Sequence, residues 1–325
     1  MRELTFRDAI NEAMKEEMRR DETVFVMGED VAHAGGVRGV TRGLLQEFGE
    51  DRCFDTPISE ESIVGAGVGA AISGSRPIVE VMYSDFLGTC MDEVYNKAAK
   101  WRYMHGSQMK MPLVIRTSFG GGFGGAAEHS QSLEAWFMHI PGLHIVVPST
   151  PYDAKGLMKT AIRDDNAVLF FEHRLLYNVK GPVPEEEYLI PLGEGIVRRE
   201  GTDVTIFTEG LMVSKSLIAA ERVAEEGVDV EVIDLRTLHP LDRDLILASA
   251  RKTGRVVTVE EGVRTLGLGS EIGALLMEEA IYYLKAPLRR VAAPDVPIPY
   301  SPPMEKFVIP NEQKIVDAVR AVLSE

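Results

Sequence analysis

The alternation of apolar and polar positions divides the chain into short strands and amphipathic helices. Phe6, Ala9, Ile10, Ala13, Met14 and Met18 recur at helical spacing and predict an opening helix. Thr5, with Asp8 three residues on, supplies a capping signal at its start. Residues 24–27 then read as a buried strand that ends on Gly28-Glu29-Asp30. Apolar runs at 77–82, 112–116 and 144–147 predict further strands, with helices expected around 62–74, 88–103 and 151–163. Strands alternating with helices predict an α/β fold whose parallel sheet is covered on both faces.

The rhythm breaks at residues 178–201, where Asn178, Gly181, Pro182, Pro184 and Glu185-Glu186-Glu187 concentrate turn formers and charge. Two domains are therefore expected, 1–180 and 202–325, joined by a linker at 181–201. The second repeats the alternation. Strands are expected at 204–208, 228–235, 255–259 and 289–292, and helices at 211–226, 241–253, 269–285 and 311–323. That is the pattern of a small doubly wound domain.

Charge narrows the functional classes. Lys plus Arg is 35 against 50 for Asp plus Glu, a formal charge of -15 over 325 residues. So acidic a surface repels nucleic acid and anionic lipid, although Lys97, Lys100, Arg102 and Lys110 keep one stretch basic. Cys53 and Cys90 form neither a C-x-x-C pair nor a disulfide framework, which fits a reducing cytoplasm. The first twenty residues lack a signal-like apolar core, and no run of eighteen apolar residues is present.

Gly65-Ala66-Gly67-Val68-Gly69-Ala70 matches G-x-G-x-x-A, but it follows the polar turn Pro57–Ser62 rather than a strand. A dinucleotide site needs the strand, so a helix of small residues packed against a neighbouring helix or subunit is the expected form. A second glycine tract, 119–125, follows the 112–116 strand and leads into Glu128-His129-Ser130. Loops at that position in open α/β sheets hold ligands, and the tract reads as a flexible loop or an active-site wall. No G-x-S-x-G, H-E-x-x-H or other metal-ligand spacing occurs. Glu60, read alone, is an acid in the first turn of a helix, where the dipole favours it.

Longer strings carry more. Asp55-Thr56-Pro57-Ile58-Ser59-Glu60, the stretch from Glu128 to Trp136, Pro148-Ser149-Thr150-Pro151, and Ala161-Ile162-Arg163-Asp164-Asp165-Asn166 resemble the beta subunit of 2-oxo-acid dehydrogenase E1. The stretch Val232-Ile233-Asp234-Leu235-Arg236-Thr237-Leu238-His239-Pro240 and Asp295-Val296-Pro297-Ile298-Pro299-Tyr300 extend the resemblance over essentially the whole chain, nearest to the pyruvate and acetoin members.

The resemblance implies a transketolase-like pyrimidine-binding domain followed by a transketolase C-terminal domain. It implies an α2β2 heterotetramer with thiamine diphosphate at the α/β interfaces, the alpha chain holding Mg2+ and diphosphate through G-D-G…N. No Gly-Asp-Gly occurs in this chain. It implies that Glu60 hydrogen-bonds N1′ of the aminopyrimidine, that Phe86 stacks on that ring and that Glu29 lies near the cofactor. His129 is implied in proton transfer as an acyl group passes to lipoyl-lysine of an E2 acyltransferase, work suited to imidazole. Leu113, Ala161, Ile162, Asp164 and Asn166 match a potassium-binding loop of some members. The expected activity is oxidative decarboxylation of a small 2-oxo acid, or cleavage of acetoin, with a split-chain transketolase-type synthase lacking a lipoyl acceptor as the alternative. Glu61-Ser62 and Glu128 depart from the residues usual in relatives and leave substrate preference open.

Overall fold

The computed structural model describes residues 1–325. The chain forms two compact units, Met1–Phe119 with Trp136–Leu192, and Gly120–Ala135 with Gly193–Glu325.

The first unit holds β1 (Arg2–Thr5), α1 (Phe6–Arg20), β2 (Val24–Gly28), α2 (Leu44–Phe48), β3 (Cys53–Asp55), α3 (Glu60–Ile72) and β4 (Arg76–Tyr83). A 3-10 turn, Ser84–Cys90, and a π-helical turn, Glu93–Ala98, lead to α4 (Trp101–Met104) and β5 (Val114–Phe119). α5 (Glu134–Met138, in this unit from Trp136), β6 (Leu143–Val146), α6 (Pro151–Arg163), β7 (Ala167–His173) and β8 (Lys180–Val183) follow. Strands β6-β7-β5-β4-β2-β3 lie side by side in that order, all parallel.

Local chemistry explains the helix starts. The Thr5 hydroxyl accepts the Asp8 N–H at 3.2 Å, and Thr150 caps α6 in the same way, with Pro151 in the first helical turn. The buried face of α1 is Phe6, Ala9, Ile10, Ala13, Met14 and Met18, as the spacing predicts. α1 and α6 are tied by Lys155 and Lys159, each 2.7 Å from Glu16, and by Arg163 on Glu17.

The second unit contains β9 (Ile196–Arg199), β10 (Val204–Thr208), α7 (Leu211–Ala224), β11 (Val230–Asp234), β12 (Thr237–His239), α8 (Arg243–Thr253) and β13 (Val256–Val263). It closes with α9 (Leu268–Glu279), β14 (Arg289–Ala293), α10 (Pro302–Val308) and α11 (Glu312–Leu323). Its sheet runs β14-β13-β10-β11-β9, parallel except for β9. Val204, Ile206, Val230, Val232, Val257 and Val259 form its core with Ala219, Val223, Ile315 and Val319 of α7 and α11.

Three expectations need correction. The stretch read as a linker is structured: β8 pairs with β1 and β9 joins the second sheet. Residues 181–192 belong to the first unit and the loop Gly120–Ala135 to the second. The helix expected over 88–103 is broken into 3-10, π and α turns. Strand β7, buried along all seven residues, is not among the expected strands, although 167–171 is the continuous apolar run of a buried parallel strand.

Candidate active site

In an open parallel sheet, ligands gather beyond the carboxyl ends of the strands where the chain reverses its direction of winding. Here β2 lies between β3 and β4, so the chain steps one way from β2 to β3 and crosses back to β4. Three expected site residues follow the carboxyl ends of these strands. Glu29 comes directly after β2, Glu60 opens α3 after β3, and Phe86 lies in the 3-10 turn after β4.

The three are brought together. Burial, and next the negative charge of Glu60, push the Glu29 carboxyl up from its ordinary value; Asp30 and Glu80 add to this. Thr89 donates to the Phe86 carbonyl at 2.8 Å, and its hydroxyl stands 3.4 Å from Glu60 Oε2. Phe86 meets Tyr83 edge to face, with ring centroids 5.3 Å apart. The Arg174 guanidinium lies 4.9 Å over the Tyr83 ring and donates to the Phe119 carbonyl at 3.2 Å. Phe86 thus packs on a Tyr83 ring that Arg174 covers.

Beneath this edge lies a buried ion network. Arg116 on β5 donates twice to Glu172 on β7, at 2.7 and 2.9 Å, and to Glu80 on β4 at 2.6 Å. Tyr177 donates to Glu172 at 2.9 Å. Burial opposes the Arg116 charge, but Glu172 and Glu80 hold the guanidinium protonated above its ordinary value.

The site is one-sided. Ile58 before α3, and Glu61, Ser62, Ala66 and Gly69 along it, are exposed, whereas Gly67 packs inward. A Cβ on Gly67 would stand 2.7 Å from Val79 Cγ1 and 3.1 Å from Leu113 Cδ1; one on Gly69 would meet nothing within 4 Å. The tract resembling a nucleotide fingerprint is therefore helix interior packed on the sheet, with a bare opposite face.

The comparisons with known proteins agree over the whole length. The family model described as transketolase, pyrimidine binding domain, matches residues 2–180, and that described as transketolase, C-terminal domain, matches 193–315. The 2-oxoisovalerate dehydrogenase subunit beta of Bacillus subtilis (strain 168) is 48% identical, covering 98% of each chain. An acetoin:2,6-dichlorophenolindophenol oxidoreductase subunit beta of the same organism is 47% identical over 100% of this chain and 98% of that protein. The pyruvate dehydrogenase E1 component subunit beta of Rhizobium meliloti (strain 1021) is 47% identical over 99% of this chain and 70% of that one. The chain belongs to the family of 2-oxo-acid dehydrogenase E1 beta subunits. A solved split-gene transketolase, described as an inactive beta4 tetramer, superposes with TM-score 0.83 at 26% identity, covering 99% of both chains.

In this E1 beta homologue His129 is half-buried on the loop Gly120–Ala135, which belongs to the second unit. The residues expected to form a potassium loop gather around the end of α6. Arg76 donates to the carbonyls of Ile162 (3.0 Å) and Asp164 (2.9 Å). The Ala161 carbonyl accepts the Asp164 N–H, the Leu113 carbonyl accepts the Val168 N–H, and Asn166 Oδ1 accepts from Arg102 at 2.7 Å. Carbonyls at a helix carboxyl end suit a hard monovalent cation. No cluster of three or more His, Cys, Asp or Glu is arranged to hold a metal ion.

Around the candidate site the structure also gathers residues the sequence patterns did not single out: Glu80, Thr89, Arg116, Glu172 and Arg174. Thr89 carried no signal; that of the other four was a charge inside or beside an apolar run, as with Glu80 in 77–82 and Glu172 after 168–171. Such a charge is buried only when it is paired.

Proposed function

We propose that this chain is the E1 beta subunit of a thiamine-diphosphate-dependent dehydrogenase complex acting on a small 2-oxo acid or acetoin. It would work with an alpha chain in an α2β2 assembly and pass the acyl group to lipoyl-lysine of an E2 acyltransferase. The single observation that carries this reading is the Glu29–Glu60 pair beside Phe86, at the winding reversal of a sheet edge that is open along α3.

The residues fit the pyrimidine end of the cofactor and no more of it. Glu60 would accept or share a proton at N1′ of the aminopyrimidine, and the raised Glu29 beside it would limit how much negative charge the edge carries. Phe86 would offer a ring face, held by Tyr83 and Arg174. When bound, thiamine diphosphate supplies the nucleophilic carbon and the electron sink. The diphosphate and Mg2+ are left to the alpha chain, since Gly-Asp-Gly is missing here. His129 would hold and move a proton during acyl transfer. Leu113, Ala161, Ile162, Asp164 and Asn166 would hold potassium only with Arg76 displaced, since its guanidinium already occupies the Ile162 and Asp164 carbonyls.

A cytoplasmic setting fits the cysteines. Cys53 and Cys90 are free and buried, and burial pushes their thiols up to about 11 and about 12. No helix is long and apolar enough to cross a membrane. Branched-chain, acetoin and pyruvate relatives stand within one percentage point of identity, so the substrate is to be assigned by assay.

The test is Glu60→Gln in the reconstituted heterotetramer. Thiamine-diphosphate-dependent dye reduction should fall by on the order of 10²–10⁴-fold, with the melting temperature unchanged. Near-normal turnover sinks the assignment. Wild-type assays against pyruvate, branched 2-oxo acids and acetoin then identify the substrate. Failure to acylate a lipoyl domain would favour a split-chain synthase instead.

A further inference from the structure

The glycine tract before His129 is more ordered than its composition suggests. Gly120, Gly122 and Gly124 take φ of +88°, +93° and +78°, alternating with residues of ordinary backbone sign. Alternating left- and right-handed residues turn successive N–H groups toward one side and form an anion cradle. The chain supplies the anion itself. Glu305, on α10, accepts from Gly122 N–H at 2.8 Å through Oε1 and from Gly124 N–H at 3.2 Å through Oε2. Glu261, on β13, accepts the Gly121 N–H at 2.6 Å. Both carboxylates are 4% exposed, where charge-assisted bonds are strong and their loss is costly.

The clamp reaches the histidine through packing. A Cβ on Gly121 would stand 2.6 Å from Ile309 Cδ1, 3.3 Å from Glu305 Oε1 and 3.6 Å from the Cβ of Ser130, the neighbour of His129. Ser130 is buried, and Gly120 N–H donates to the Gln131 carbonyl at 3.3 Å, closing the loop at its base. Glu305 is itself fixed, because Val308 and Ile309 pack with Ala293 and Ile298.

We propose that Glu305 and Glu261 are positioning residues, which clamp the backbone of residues 120–125 and thereby set where His129 stands. The proposal rests on the reading of His129 as the proton carrier of acyl transfer. A glutamine at either position keeps the size but removes the charge, and at Glu305 it places an amide donor against one of two N–H groups.

The experiment compares wild type, Glu305→Gln, Glu261→Gln, Glu305→Asp and His129→Ala in the heterotetramer. Two activities are read: reductive acylation of a lipoyl domain, and dye reduction, which intercepts the reaction before transfer. Both glutamine variants should lose at least tenfold in acylation while dye reduction stays within about twofold of wild type, and Glu305→Asp should recover part of the loss. Hydrogen exchange of residues 120–135 should quicken at least tenfold in Glu305→Gln. Unchanged exchange overturns the clamp, and so does equal loss of both activities with a fallen melting temperature. If His129→Ala acylates normally, the reading of His129 fails, and the exchange result alone then decides the clamp.

Discussion

Arg116 shows what a single buried charge does in this protein. It is the largest fully buried side chain, and it joins three adjacent strands through Glu80 and Glu172. Removing one partner of such a network leaves the other charges dehydrated and unpaired, at a cost of about 3–5 kcal/mol. Arg116→Leu should therefore lower the melting temperature sharply. Arg116→Leu with Glu172→Leu should recover part of the loss, since it removes one of the two carboxylates that the single variant leaves unpaired. A thermal melt of the three proteins checks this, and a double variant no better than the single one counts against it. Neither Arg116 nor Glu172 stands out in the sequence, because each is one charge at the border of an apolar run whose partners lie 36 and 56 positions away.

At the scale of the element, α3 carries two kinds of glycine that one string of letters does not separate. Gly67 faces the sheet, where Val79 and Leu113 leave no room for a methyl group. Gly69 faces outward with nothing near it. Gly67→Ala should destabilise by about 1–3 kcal/mol through overpacking. Gly69→Ala should be neutral or stabilise by up to about 1 kcal/mol, through helix propensity and a less flexible unfolded chain. Melting of the isolated chain should rank Gly67→Ala below wild type and Gly69→Ala at or above it, and the reverse order would refute the packing argument. If the bare face receives a second chain, Gly69→Leu should fold normally yet fail to assemble with the alpha chain. Periodicity did place α3, α1 and α6 close to their observed bounds. It failed over 88–103, where the winding changes from 3-10 to π to α without a change of apolar spacing.

At the scale of the whole molecule, the second unit stores protons. Burial, and next the charges of Glu261 and Glu260, push Glu134 up to about 8. Burial raises Glu260 to about 7, although Leu268 and Gly269 N–H groups and Arg290 oppose the rise. Burial raises Glu209 too, with Glu134, Glu260, Glu261 and Asp234 adding like charge. Each of the three binds its proton more tightly when folded than a free glutamate of about 4.5. Folding then takes up protons, so the stability they contribute is full below pH 4.5 and is lost as pH rises through about 7 to 8. The melting temperature should fall between about pH 5 and 8, and Glu209→Gln should flatten that fall. An equally steep fall in the variant, or none in wild type, would dispose of this account.

The sequence by itself determined the α/β class, the two-part organisation, most strands and helices of the second unit, and the strings around Glu60 and His129. Those features are local, written in a spacing of two or 3.6 residues or in short turn-forming runs. Tertiary structure alone decided the rest. It placed Glu29, Glu60 and Phe86 together by winding β3 and β4 to opposite sides of β2. It turned the supposed linker into β8 and β9 by pairing each with a distant strand. It assigned the His129 loop to the second unit and fastened its glycines to Glu261 and Glu305, 140 or more positions away. The reason is common to all three: the energy of a buried carboxylate or a strand edge depends on the partner that reaches it in space, and spacing along the chain carries no record of that partner.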